Sequence, residues 1–363
     1  MRGEAGVDPR QQLVDGEGRA IHRTKDTALP LSLKGLLSGA ATTCARADSA
    51  ASFMPARTAV EAPRADARAQ GRAHGNTAGR LLDCAASHSR GCCMQLIDIG
   101  ANLTHDSFDP DRDAVLQRGR DAGVTQMVVT GASREHSPKA LALALKHPGE
   151  LFATAGVHPH HASDYTSECD AELRALHAHP QVVAVGECGL DYFRDFSPRP
   201  AQRRAFELQL QIAIDTGTSP ADRKPLFLHQ RDAHADLMSM MRNFDGRLGA
   251  AVVHCFTGTR AELFDYLDQD WHIGITGWLC DERRGQHLRE LVRHIPANRL
   301  MIETDSPYLL PRTVKPAPSH RRNEPMYLAH IVAELARDRG EAVAVTAANS
   351  TATATAFFRL PTP

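Results

Sequence analysis

"LFLHQRDAH", residues 226–234, runs three apolar side chains straight into a histidine followed by glutamine, arginine and aspartate. A short, wholly apolar run is what a strand of a parallel sheet looks like when helices cover it. The same pattern returns elsewhere. "AVVHCFTGT" (251–259) ends its apolar run at His254, "VVAVGECGLDY" (182–192) reaches Glu187, and "RLMIETDSPYLLP" (299–311) reaches Glu303 and Asp305. Four apolar runs thus end in a residue suited to metal binding or acid/base work.

Working outward, runs of strand length recur near residues 97, 127, 152, 183, 226, 251, 272 and 300, with helical patterning between them. Eight β/α units in about 270 residues predict a TIM-type (β/α)8 barrel within the α/β class. An open doubly wound sheet has the same local patterns, and periodicity alone does not separate the two. Within "FDPDRDAVLQRGRDAG" (108–123), Asp109 reads as an N-cap, Pro110 as the first helical residue and Gly123 as the stop. In "AQRRAFELQLQIAIDTG" (201–217), Phe206, Leu210 and Ala213 share one helical face.

A barrel explains the polar strand ends. All parallel strands open their C-terminal ends on one face, so Glu187, His229, His254 and Asp305 are brought to one mouth. Two imidazoles and two carboxylates there form a ligand set for a divalent cation. Imidazole favours zinc and other transition ions, and carboxylates admit magnesium or manganese. Metal-assisted hydrolysis is the reaction class this predicts. A single strand-end histidine is more often structural, but four such ends in register point to a site.

Other strand ends add candidates for substrate binding. His158, His160 and His161 follow the third run, and Arg231, Arg283, Arg284, Arg321 and Arg322 offer forks for phosphate oxygens. Each arginine taken alone reads more readily as a solvated surface residue. Trp278 beside Arg283 and Arg284 suits either base stacking or core packing.

Residues 1–93 differ from the rest. They are rich in Ala, Arg, Gly, Ser and Thr, with Phe53 as the one aromatic, a composition too poor in apolar residues to build a core. This stretch reads as a disordered or non-native N-terminal extension, with Met94 as an alternative start and residues 94–363 as the folded domain. Of the 42 basic and 43 acidic residues, 13 and 9 fall in residues 1–93, so the remainder has a net charge near −5. A mildly acidic domain is not a general nucleic-acid coat, and any phosphate binding has to rest on a short local cleft. The eight cysteines lack the spacing of a metal finger or a disulfide framework, so reduced thiols and a cytoplasmic location are expected. No apolar run approaches the ~18 residues of a membrane span, and neither a membrane association nor an obligate protein partner is indicated.

The stretches "IDIGANLT", "TAGVHPHHAS", "VGECGLDYFRDFS", "HQRDAH", "VVHCFTGTRAE", "GITGWLCDERRG", "IETDSPYLLPR" and "RRNEP" span nearly all of residues 96–325. In that order the chain resembles the TatD family of metal-dependent nucleases. The resemblance implies a barrel of the metal-dependent hydrolase superfamily, a divalent cation such as magnesium, and phosphodiester hydrolysis. It further implies 3′-to-5′ exonuclease action on single-stranded DNA and RNA ends and a part in DNA repair. By motif, Glu187, His229 and His254 are implied as metal ligands, and Asp305 as the acid/base residue or a further ligand. Asp305 would then position or deprotonate the attacking water while nearby arginines steady the phosphate. Many relatives carry a His-x-His pair where this chain has Gly100-Ala101-Asn102, so one firm ion is expected, with a second weak or dependent on substrate. Gln230 beside a ligand and the segment 216–225 before the fifth strand also depart from the pattern. Two rival readings are a D-aminoacyl-tRNA deacylase, or other ester hydrolase, and a non-catalytic nucleic-acid-binding barrel.

Overall fold

The computed structural model describes residues 94–362. The extension expected over residues 1–93 lies outside the described residues. Eight strands follow one another around a single parallel sheet in sequence order. They are β1 (Leu96–Ala101), β2 (Val124–Val129), β3 (Leu151–Ala155), β4 (Val182–Asp191), β5 (Leu226–Arg231), β6 (Ala251–Val253), β7 (His272–Ile275) and β8 (Leu300–Ile302). Helices α1 (Arg112–Asp121), α2 (His136–Lys146), α3 (Ser167–His177), α4 (Arg199–Asp215), α5 (His234–Arg242), α6 (Arg260–Asp268), α7 (Gln286–Leu291) and α8 (Leu328–Arg339) follow them in turn, and α9 (Val343–Phe358) ends the fold. All eight expected strands are present, and the architecture is the barrel.

The ring closes between β8 and β1 just past the end of β8. Asp305 N donates to Gly100 O (2.8 Å) and Asn102 N to Ser306 O (2.7 Å). Thr304 adds its amide (2.9 Å) and its hydroxyl (2.6 Å) to the buried Asp98 carboxylate.

Two apolar layers result. Ile97, Ile99, Val128, Phe152, Phe227, Val252 and Met301 fill the inside of the barrel, and Ala354, Phe357, Phe358 and Leu360 from the end of the chain join them. Leu226, Leu228, Ala251, Val253, Leu300 and Ile302 belong instead to the larger layer between strands and helices. The two-residue period of a strand therefore sorts each run: odd residues of β5 and β8 face in, as do even residues of β6. As expected, Phe206, Leu210 and Ala213 of α4 are buried in or beside the outer layer.

One boundary differs from expectation. α1 begins at Arg112, and Asp109 and Pro110 precede it. A short 3-10 helix, Asp106–Phe108, takes the first turn, and the Asp109 N–H closes it onto Asp106 O. The Asp109 carboxylate pairs with the Arg112 guanidinium instead of capping backbone amides. Gly123, with φ of 88°, ends the helix where expected.

Burial also sets a pH limit on stability. His177 at the end of α3 is buried, with Nε2 3.0 Å from Ala155 O and with Nδ1 unpartnered. Burial, and then the nearby Lys224 ammonium, lower its pKa to about 3. The unfolded chain has His177 near its ordinary value of roughly 6.5, so stability is fully present above that pH and is lost as pH falls towards 3. The loss from this residue is about 2 kcal/mol between pH 7 and pH 5. Urea unfolding of the wild type and of His177→Asn at both pH values checks this; equal losses in the two proteins would remove His177 as the cause.

Candidate metal centre

Period two also explains the opening stretch. His229 stands one inward position beyond Phe227 on β5, His254 one beyond Val252 on β6, and Glu303 one beyond Met301 on β8. The Phe227 and His254 rings stack with centroids 4.6 Å apart. The layer that closes the apolar interior is thus directly under a layer of imidazoles and carboxylates at the C-terminal mouth.

Glu187 is the hub. Its Oε1 lies 2.7 Å from His254 Nε2, 2.9 Å from His229 Nδ1 and 3.3 Å from His158 Nε2. Glu187, His158 and His254 are buried and His229 is half-buried. Burial opposes ionisation of Glu187, but the facing imidazoles, above all His254 with its charge and hydrogen bond, and the hydrogen bond from His229 hold its carboxyl well below the usual range. Burial likewise opposes protonation of His254 and His229, yet the facing carboxylates raise both. His158 is driven the other way by burial and stays neutral, the form in which imidazole binds metal.

Three further carboxylates complete the mouth. Glu303 is fully buried: its Oε1 accepts from Cys255 N (2.5 Å) and its Oε2 lies 3.4 Å from His254 Nδ1. A Cβ on Gly274 would come within 2.5 Å of this carboxylate, and one on Gly100 would also collide with it. Those two glycines form its slot. Asp305 accepts from Asn102 Nδ2 (2.9 Å), and its pKa is pushed up to about 7 by burial and the charges of Glu187 and Glu303, against the pull of His254. Asp191 lies 2.7 Å from His160 Nε2 and 3.5 Å from His229 Nε2.

The donor set fits a cation. His158, Glu187 and His229 each present one ligand atom within 4.8 Å of the others. His229 Nε2 is buried without a hydrogen bond, its nearest carboxylate being Asp191 at 3.5 Å, and an unpaired buried ring nitrogen beside the cluster calls for a ligand. Several carboxylates confined in one buried mouth also need a positive counter-charge.

The remaining expected residues separate into groups. His158 stands in the Glu187 cluster itself, deeper than a substrate-binding role required. His160 is half-buried on Asp191. Arg231 lies over the rings of Phe193 (4.1 Å) and Trp278 (5.7 Å), and Arg284 over Trp278 (4.2 Å). Arg283 is exposed and reaches Asp281 at 3.5 Å. Arg322 is not brought to the cluster: it bonds the Asp111 carboxylate at 2.8 Å through both terminal nitrogens, Glu324 at 2.8 Å and Ser107 O at 2.6 Å. Its fork is occupied in tying α1 to the start of α8. Asp191, Asp98 and Asn102 had no assigned role from sequence, and Glu303, noted there beside Asp305, had no place in the expected ligand set. Glu303 was accessible by counting two positions on from Met301, whereas the other three depend on partners far away in the chain.

A parallel barrel carrying a buried histidine–carboxylate cluster at its C-terminal mouth defines a metal-dependent hydrolase. The family described as "TatD related DNase" matches residues 97–359, and the chain belongs to that family. It is 49% identical over 265 residues to the 3′-5′ ssDNA/RNA exonuclease TatD of Erwinia tasmaniensis, covering 73% of this chain and all of that one. It is 52% identical over 241 residues to the protein of the same name from Musicola paradisiaca, covering 66% and 89%. Among solved structures, the TatD homologue YJJV of Escherichia coli is similar at 26% identity with a TM-score of 0.66, covering 74% of this chain and all of that one. A TatD family hydrolase from Entamoeba histolytica aligns at 26% identity and a TM-score of 0.64, covering 73% and 98%.

Proposed function

We propose that residues 94–363 form a divalent-metal-dependent 3′-to-5′ exonuclease that removes nucleotides from single-stranded DNA and RNA ends. The observation that carries this reading is the single carboxylate oxygen of Glu187 shared by His158, His229 and His254. The activity for which the relatives above are named supports the substrate class. Glu187, His229 and His254 would hold the ion, with His158 as an added imidazole donor; the family resemblance favours magnesium, while imidazole ligation also suits manganese or zinc. A bound ion supplies charge neutralisation at the phosphoryl oxygen and a more acidic water.

The chain's own residues do the rest. Asn102 orients the Asp305 carboxylate, which accepts the proton of the attacking water. Glu303, fixed by Cys255 N between Gly100 and Gly274, holds His254 in place from the side opposite Glu187. Arg231 and Arg283 steady the departing strand's phosphates from the rim. Cys169, Cys188, Cys255 and Cys280 are all free thiols, which supports a reducing compartment such as the cytoplasm. No helix among the described residues is long and apolar enough to cross a membrane.

Degradation of a single-stranded oligonucleotide labelled at either end tests the reading. With magnesium or manganese, products retreat from the 3′ end; chelator abolishes the ladder and added metal restores it. Cleavage that survives exhaustive chelation, or a ladder from the 5′ end, would overturn it. Hydrolysis of D-aminoacyl-tRNA without any cleavage of oligonucleotides would replace it with the deacylase reading.

A further inference from the structure

The mouth carries aromatic surface that the hydrolytic chemistry does not use. Among the described residues the large exposed aromatics are Phe193, Phe196 and Tyr308, each slightly more than half exposed. All three stand on loops that leave the C-terminal ends of strands, two after β4 and one after β8. Exposed rings on loops that all leave the C-terminal end of the barrel are placed to meet a ligand brought to the mouth.

Phe193 and Phe196 are tied to the metal centre through one carboxylate. Asp191 Oδ1 accepts the amides of Phe193 (3.0 Å) and Arg194 (2.8 Å), which fixes the turn that carries both rings. Its Oδ2 faces His160 and His229. The Phe196 ring lies 4.6 Å from the His160 ring, and the His160 ring 4.2 Å from that of His158. The Arg231 guanidinium lies over the Phe193 ring at 4.1 Å and over the Trp278 ring at 5.7 Å, and so joins the two. The Trp278 ring opens on a cleft of about 440 Å³ lined by Arg283, Arg284, Arg312 and Arg321. An aromatic step next to the cluster, then a cation–π ladder, then an arginine cleft is the order of surfaces a single strand needs: stacking for bases and positive charge for its backbone.

We propose that Phe196 and Phe193 are the stacking platform for the last and next-to-last bases of the 3′ end, so that selection for an unpaired end is made by base stacking. A base paired in a duplex already has its faces covered by its neighbours and its edge engaged, and it reaches such rings only after being unstacked. The scissile phosphate lies between the two stacked bases and is thereby set over Glu187 and Asp305. This deepens the exonuclease reading and rests on it.

The test couples removal of a ring to removal of a base. The full chain and its Phe196→Ala, Phe193→Ala and Phe196→Leu variants are given oligonucleotides whose last or next-to-last 3′ nucleotide is either intact or abasic. In the wild type, loss of the terminal base lowers kcat/KM about tenfold, mainly through KM, the scale of one base–aromatic stack. Phe196→Ala shows the same drop on the intact strand and no further drop on the terminally abasic one; Phe193→Ala does so for the next-to-last base. Phe196→Leu separates loss of stacking from loss of apolar bulk, because leucine keeps an apolar side chain of intermediate size without a π face, and it should behave as alanine does. Thermal midpoints within a few degrees of wild type establish that these exposed positions do not govern folding. Fluorescence anisotropy of the same strands in chelator must reproduce the coupling without turnover. An abasic penalty as large in the variants as in the wild type overturns the platform even if the enzyme is a processive exonuclease. The coupling seen in binding with no cleavage under any metal overturns the exonuclease reading and leaves the platform standing.

Discussion

Glu187→Gln is expected to lower kcat on a single-stranded oligonucleotide by about a thousandfold or more at saturating magnesium, the scale of removing a principal electrostatic element of a buried site. The substitution keeps size and one carbonyl oxygen but removes the charge shared by three imidazoles at 2.7, 2.9 and 3.3 Å. Without that charge, nothing at the hub balances a divalent ion, and His229 and His254 keep only Asp191 and Glu303, respectively, of the carboxylates that raise their basicity. Ion affinity measured by isothermal titration should fall together with turnover. A variant that retains activity within tenfold, with ion affinity unchanged, would place the reaction elsewhere in the molecule.

Asp305→Asn should act on chemistry alone. Asparagine still accepts a hydrogen bond from Asn102 and still donates its backbone N–H to Gly100 O, so the local geometry is preserved. What it lacks is the capacity to take a proton, and loss of a general base costs about 10²- to 10⁴-fold in rate. The expected pattern is a fall in kcat of that size with oligonucleotide affinity in chelator unchanged and ion affinity within a few-fold of wild type. If affinity for the ion collapses as it does in Glu187→Gln, Asp305 is a ligand and not the proton acceptor. The two substitutions therefore assign the two carboxylates separately.

Much of this arrangement is legible in the amino-acid sequence. Apolar runs of strand length separated by amphipathic helices define eight units, and the residue two positions past an inward-facing Phe227, Val252 or Met301 must face the mouth. That single count yields His229, His254 and Glu303. The choice of Asp305 over Glu303 as the singled-out carboxylate shows where local reading stops. In "ETD" both acids belong to one face, and their roles differ because Gly100 and Gly274 leave a slot for the first while Asn102 meets the second. Glycines on two other strands decide that, and no pattern within β8 records it. Arg322 fails for the related reason that a guanidinium has the same appearance in sequence whether its fork awaits a phosphate or holds Asp111 and Glu324. The start of α1 misleads differently: Asp-Pro is a true helix-start signal, and the preceding 3-10 turn had already taken the position.

The seam between β8 and β1 sets when the centre comes into being during synthesis. Asn102 meets Asp305 across 203 residues of chain, and Asp98 meets Thr304 across 206. Contacts of such sequence separation form late, because the entropy of closing so large a loop must be met before they give anything back. A ribosome-bound chain that has released β1 through β7 carries Glu187, His229 and His254 but has neither Asp305 nor the strand that completes the ring. On the roles proposed above, the site is complete only once the residues past β8 are in place. In the finished protein the amide protons of Asn102 and Asp305, which bridge that same joint, should exchange with solvent together, as a single gauge of how often the ring parts.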